Sequence, residues 1–252
     1  MADFDGAGVL VTGGSRGIGR ATCELFAARG ARVVVHYASN ETAAREVVDS
    51  LAGEGHACVR ADLGAGDARG LAEAAIGALG RVDVLVNNAG VYEPHPVLGT
   101  SADEWAASWS RTLATNLVGP ADLIHAVAPH MVEAGGGRIV NVTSRGAFRG
   151  EPDHAAYGAS KAALNSLSQS MAKALAPHHV YVTAVAPGFV ETDMASPYLQ
   201  GPTGREITAQ SPMDRAATPE EIARVLVFLA TPGAESTTGA IVDGNGASYL
   251  RN

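Results

Sequence analysis

The chain has 252 residues, 46% of them hydrophobic and 17% charged, which is enough for one large domain with a sizeable core. A formal net charge of -8 and a pI near 5.4 argue against nucleic acid or an anionic membrane surface as the main partner. Two cysteines, Cys23 and Cys58, are too few for a disulfide framework, and neither has metal-ligand spacing, so no metal site is expected. There is no charged-then-apolar N-terminal signal and no apolar run of the ~18 residues that a membrane span needs. A cytoplasmic, reducing location is the expectation.

In chain order, short β-branched runs at 8–11, 32–36, 57–61, 82–86, 138–142, 180–185 and 240–242 alternate with segments of helical periodicity. Continuous Val/Ile runs without strict polar alternation are typical of strands buried on both faces. Strand, helix, strand at this rhythm predicts right-handed crossovers and a parallel sheet. No repeat or linker divides the chain, so residues 1–252 read as a single α/β domain, a doubly wound sheet of about seven parallel strands with helices on both faces.

The first strand runs into Thr12-Gly13-Gly14-Ser15-Arg16-Gly17-Ile18-Gly19, followed by a helix over 20–28. Glycines at 13, 17 and 19 permit a tight turn, close approach to a pyrophosphate and tight helix–strand packing. The helix start offers unpaired N–H groups and its positive dipole end to phosphate. Gly13, Ser15, Arg16, Gly17, Ile18 and Gly19 are therefore candidate dinucleotide contacts, and the domain is expected to be of the Rossmann type. The spacing is Gly-x-x-x-Gly-x-Gly, which differs from the usual fingerprint.

His36 ends the second strand, where an NAD-selective site usually carries an acid for the ribose hydroxyls. Nothing there repels a 2′-phosphate, and Arg16 is placed to meet one, so NADP(H) is favoured over NAD(H). A plain solvent-facing strand end is the other reading of His36. After the third strand, Asp62 and Leu63 could read adenine, and Asp62 fits a turn or N-cap role equally well. After the fourth strand, Asn87, Asn88, Ala89 and Gly90 let a cofactor lie close and tie the strand to its neighbours.

Tyr157 and Lys161 open an Ala-rich helical segment over 156–176 and share one helix face. An ammonium beside a phenol favours the phenolate, which a free tyrosine reaches only near pH ~10. Ser144 ends the fifth strand, where its hydroxyl can join them. Alone, the Tyr-x-x-x-Lys spacing also fits an ordinary amphipathic helix.

The glycine turn at 12–19, Asn87-Asn88-Ala89-Gly90, Asn116, Ser144, Tyr157, Lys161 and Pro187-Gly188 occur together and in order. In this set the chain resembles a single-domain short-chain dehydrogenase/reductase over essentially its whole length. The segment 187–194 most resembles the 3-oxoacyl-(acyl-carrier-protein) reductases. The resemblance implies a catalytic tetrad of Asn116, Ser144, Tyr157 and Lys161. In it Asn116 unwinds its helix so that a backbone carbonyl holds a water against the lysine, Ser144 polarises the carbonyl, and Tyr157 moves the proton. Lys161 binds the nicotinamide ribose and lowers the tyrosine's pKa. Pro187, Gly188, Val190 and Thr192 are implied to grip the nicotinamide. The implied reaction is hydride transfer between a nicotinamide cofactor and a carbonyl or secondary alcohol, and the implied assembly is a homotetramer or dimer.

Loops 91–97, 145–154 and 195–210 are expected to form the substrate pocket, with Tyr92, His95, Phe148, Arg149 and His154 as candidates and a mobile lid over about 193–212. Reductases of acyl carriers tend to be basic before the fifth and sixth strands. Here residues 133–137 and 176–179 carry no Lys or Arg, and Thr183 stands where Asn is commoner. A free small ketone, sugar or alcohol is therefore a rival substrate. A non-catalytic cofactor sensor is a third reading, disfavoured by the intact tetrad.

Overall fold

The computed structural model describes residues 3–251. Seven strands form one parallel sheet in the order β3-β2-β1-β4-β5-β6-β7. They are β1 (Gly8–Val11), β2 (Arg32–Tyr37), β3 (Ala57–Arg60), β4 (Val84–Asn87), β5 (Gly137–Val142), β6 (Val180–Pro187) and β7 (Ile241–Gly244). Ten α-helical segments accompany them: α1 (Gly17–Ala27), α2 (Glu41–Ser50), α3 (Ala68–Leu79), α4 (Ala102–Leu113), α5 (Gly119–Glu133), α6 (Gly146–Arg149), α7 (Ala155–Leu175), α8 (Ser196–Leu199), α9 (Gly204–Thr208) and α10 (Pro219–Ala230). The doubly wound architecture expected from the alternating pattern is what the chain adopts.

Strand edges moved for visible reasons. β4 begins at Val84 because Asp83 is occupied in capping the start of β1, its carboxylate accepting from Gly8 N at 2.8 Å and its own N–H bonding to Gly8 O. β2 and β6 run past their expected ends, keeping the strands paired up to the rim of the sheet. Two apolar layers cover the sheet. One packs Phe26, Val47 and Leu226 from α1, α2 and α10 on one face, and the other packs Leu71, Leu79, Leu123 and Met131 from α3 and α5 on the opposite face. α7 joins the second layer through Ala156, Ser160, Leu164, Ser168 and Ala172, a buried row at four-residue spacing whose small members let the helix lie close to the sheet.

A buried polar chain fixes α7 against the strands. Asn87 Nδ2 donates to Asn141 Oδ1 at 2.9 Å, and Asn141 Nδ2 donates to Ser168 Oγ at 2.8 Å. The strand order reverses between β1 and β4, so helices leave the sheet in opposite directions and a crevice opens at the C-terminal strand ends, the usual ligand position in such sheets. No helix among the described residues is long and apolar enough to cross a membrane.

Candidate active site

That crevice is a cleft of about 600 Å³. On its floor the ends of β1 and β4 are locked together. Thr12 Oγ1 accepts the N–H groups of Asn88 and Ala89 at 2.9 and 3.0 Å, and Asn88 Nδ2 donates back to Thr12 O at 2.9 Å and to Gly13 O at 3.2 Å. A Cβ at Gly19 would come within 2.1 Å of Gly13 O, so only glycine lets α1 sit this close to the turn. α1 starts with no side-chain cap and no acidic residue in its first turn, which leaves its dipole end free to meet a phosphate. Gly13, Ser15, Arg16, Gly17, Ile18, Asn88, Ala89, Gly90, Pro187, Gly188, Val190 and Thr192 all line this cleft. The uncapped helix start, the glycine turn and the cleft volume fit a dinucleotide.

Four of the expected cofactor residues are held by the protein itself. His36 lines the cleft only from below. It is 2% exposed, accepts Gly13 N–H on Nδ1 at 3.0 Å and donates Nε2–H to Ala61 O at 3.0 Å. Burial lowers its pKa, so it is a neutral brace between the ends of β1 and β3 and not a solvent-facing end. Tyr37, Ala38, Ser39 and Asn40 line the cleft beyond it. Asp62 Oδ1 is engaged by Gly64 N–H at 2.9 Å as the cap of a 3₁₀ turn, and Leu63 belongs to the core, so neither lines the cleft. Gly19 acts through packing and does not line the cleft either. Arg16 does reach the cleft mouth, where it meets Asp193 at 3.6 Å. Both side chains are mostly exposed, so the pair is worth little.

Asn116 sits in a π-helical turn, Ala114–Val118, that breaks the long helix between α4 and α5. Its side chain is fully buried and fully used: Oδ1 accepts Val91 N–H at 2.8 Å, and Nδ2 donates to Val91 O at 3.0 Å and Ser160 Oγ at 3.2 Å. It thus holds the loop after β4 against α7. A Cβ on Gly90 would lie 3.2 Å from Asn116 Oδ1 and 3.5 Å from Lys161 Nζ, which places the three side by side.

Ser144, Tyr157 and Lys161 line the cleft together. Ser144 Oγ accepts Gly146 N–H at 3.0 Å, so its own proton points elsewhere. Lys161 is 4% exposed and donates to Val142 O at 2.8 Å, leaving two ammonium protons for another partner. Burial brings its pKa down to about 8. In this structure burial sets the direction of the phenol's shift. Burial pushes Tyr157 up to about 12, Glu151 adds to that, and only the Ser144 hydroxyl pulls the other way. Lys161 Nζ lies 5.7 Å from the Tyr157 ring centroid and does not offset the burial.

The substrate side is aromatic. Tyr92 stacks on His154 with centroids 3.7 Å apart and meets the rings of Tyr157 and Tyr198 edge-on at 4.7 and 5.4 Å. His154 Nε2 bonds Tyr198 OH at 2.9 Å, which joins α8 to the loop before α7. His95 is not a substrate residue: its Nε2 accepts Ala156 N–H at 3.0 Å at the start of α7. Phe148 turns away beneath the Arg251 guanidinium at 4.4 Å. Thr183 is buried with an unpartnered hydroxyl, and nothing in the structure explains it. Glu151 and Tyr198, inside two of the expected pocket loops but not singled out there, line the cleft, and so does Phe189. Glu151 stands in Gly150-Glu151-Pro152, a pattern that reads as a solvated turn. Among the described residues no group of His, Cys, Asp and Glu could hold a metal ion.

The family model described as enoyl-(acyl carrier protein) reductase matches residues 13–246. The chain is 36% identical to the 3-oxoacyl-(acyl-carrier-protein) reductase FabG of Vibrio cholerae over 98% of its own length and 99% of that protein. It is 37% identical to an uncharacterised oxidoreductase of Methylorubrum extorquens over 98% of this chain and 99% of that one. Among solved structures, a short-chain dehydrogenase from Burkholderia cenocepacia in complex with NADP superposes with a TM-score of 0.87 at 29% identity, covering 97% and 98% of the two chains. The angucycline C-6 ketoreductase LanV with bound NADP superposes with a TM-score of 0.87 at 35% identity, covering 98% and 96%.

Proposed function

The chain belongs to the short-chain dehydrogenase/reductase family of oxidoreductases, and from that premise we propose that it reduces a ketone to a secondary alcohol with NADPH. The observation that carries the reading is the convergence of Ser144, Tyr157 and Lys161 in a cleft that fits a dinucleotide. The Tyr157 phenol, its pKa raised by burial, holds a proton at neutral pH that it can give. Ser144, whose oxygen accepts from Gly146 and whose hydroxyl bonds the Tyr157 phenol, can turn its proton to a carbonyl oxygen and to the alkoxide charge that develops there. Lys161, held on Val142 O, offers its remaining protons to vicinal hydroxyls such as those of a ribose. The bound nicotinamide would supply the hydride. Asn116, by clamping Val91, sets the wall against which the substrate lies.

The preference for NADPH is supported by the lack of an acid from His36 to Asn40 and by Arg16 at the cleft mouth. It is further supported by the NADP in the two neighbours. The resemblance to acyl-carrier reductases supports a 3-oxoacyl thioester as substrate. One observation favours a free ketone instead. Arg138, the one cation near the fifth strand's start, is tied to Glu235 at 2.5 Å and is not free to attract an acidic carrier. A homo-oligomer in the cytoplasm is part of the same reading, and a monomer by light scattering would contradict it. The main test is NADPH or NADH oxidation with acetoacetyl thioesters, simple ketones and polyols. A higher kcat/KM with NADH, or turnover only as alcohol oxidation, would overturn the proposal.

A further inference from the structure

Two arginines of the 145–154 loop converge on one neutral oxygen. Arg145 Nη2 donates to Gln210 Oε1 at 2.7 Å, and Arg149 Nη1 donates to the same atom at 2.8 Å. Gln210 lies in the lid, just beyond α9. Arg145 is 3% exposed and follows Ser144 directly, and its N–H is anchored on Pro187 O at 2.9 Å. Its guanidinium lies over the Phe189 ring at 5.1 Å, and both residues line the cleft. Among the described residues neither arginine has a carboxylate within 4.0 Å. Glu151 packs over Gly146, where a Cβ would meet its Oε1 at 2.6 Å, and both arginines act on its carboxyl from beyond ion-pair distance.

A buried guanidinium cannot shed its proton, so burial next to a second cation creates a demand for negative charge that a carboxamide meets poorly. Burial and the neighbouring Arg149 act against the charged form of Arg145 and outweigh the smaller support it draws from Glu151 and Tyr92. Charge-assisted bonds to an anionic oxygen are about twice as strong as bonds to a neutral one. We propose that Arg145 and Arg149 form an anion-recognition site for the substrate, with Gln210 Oε1 holding the place of a carboxylate or phosphate oxygen. The ketone would then carry an anionic group remote from its carbonyl, and that group would displace Gln210 as it seats. This rests on the ketone-reductase reading and narrows it to anionic ketones.

The test pairs ketones that differ only in charge: 4-oxopentanoate against its methyl ester, and acetoacetyl-phosphopantetheine against acetoacetyl-pantetheine. A KM roughly tenfold to a hundredfold lower for the anionic member is expected in at least one pair. The pair that shows it tells carboxylate from phosphate. Arg149→Gln should shrink the ratio several-fold. Gln210→Glu, which places a carboxylate between the arginines, should abolish it. A second readout needs no turnover: acetate or inorganic phosphate should raise Tm over chloride at equal ionic strength, and should do so less in Gln210→Glu. Equal KM values within both pairs, or a preference that survives both variants, would overturn the inference. So would the absence of any anion-specific Tm rise in a protein that turns over none of the four ketones. NADPH binding and an anion-specific Tm rise without turnover of any of the four ketones would count against the reductase reading alone.

Discussion

Replacing Lys161 by methionine should separate what the lysine costs the fold from what it gives the chemistry. Its pKa falls from 10.5 to about 8 because burial disfavours the ammonium. A shift of that size corresponds to about 3 kcal/mol against the charged folded state. Methionine removes that cost but leaves Val142 O without its donor, a loss of about 1–3 kcal/mol. Below pH 8 the cofactor-free variant should therefore be as stable as the parent or about 1 kcal/mol more stable, while its activity falls by at least a hundredfold. The sharper signal lies in pH. A lysine with a lowered folded pKa binds fewer protons folded than unfolded between about 8 and 10.5, so stability rises with pH across that window. From pH 7 to 9.5 the parent should gain about 2 kcal/mol relative to Lys161→Met, from the same linkage. Urea unfolding of both proteins at the two pH values measures the difference. Parallel stability curves would refute the assignment of a strained, buried ammonium.

Tyr157→Phe removes the proton donor and should lower kcat by about 10²–10⁴-fold while NADPH titration by fluorescence stays near that of the parent. Near-parental turnover would refute the role. Asn116→Ala deletes three buried hydrogen bonds, and thermal unfolding should show a loss of about 2–4 kcal/mol together with weaker substrate turnover. Gly19→Ala forces a Cβ to within 2.1 Å of Gly13 O, so cofactor affinity should fall even if the chain still folds. His154 has its pKa lowered to about 4 by burial, so its contribution is complete above pH 6.5 and is lost as pH falls through the window down to about 4. Stability should drop by about 2 kcal/mol between pH 7 and 4.5, and His154→Phe should flatten that drop.

The sheet was legible because strands buried on both faces must be written in Val and Ile, and the intervening helices carry their own period. Most of the cleft was legible for a related reason. Gly13, Gly17 and Gly19 are required by close contacts, and Ser144, Tyr157 and Lys161 sit at strand or helix ends that the pattern locates. His36 was misplaced because a strand end does not say which way its last side chain turns. Here the free N–H of Gly13 turned it inward. Asp62 caps a 3₁₀ turn because Gly64 N–H lies within hydrogen-bond reach of its Oδ1. Glu151 and Tyr198 were not singled out within their loops because loop residues have no period to say which side chains face the cleft. The phenol's high pKa could not be read from Tyr-x-x-x-Lys spacing, since it depends on burial, which spacing does not report.

The His36 brace limits how cofactor choice can be changed. Placing an acid at the end of β2 is the direct route to an NAD-selective site. At His36 that change would put a buried carboxylate against Ala61 O and remove the acceptor for Gly13 N–H, loosening the turn that cradles the phosphates. The exposed cleft-edge positions Ala38 and Ser39 carry no such duty. Redesign of cofactor preference in this chain should start there and leave the histidine alone.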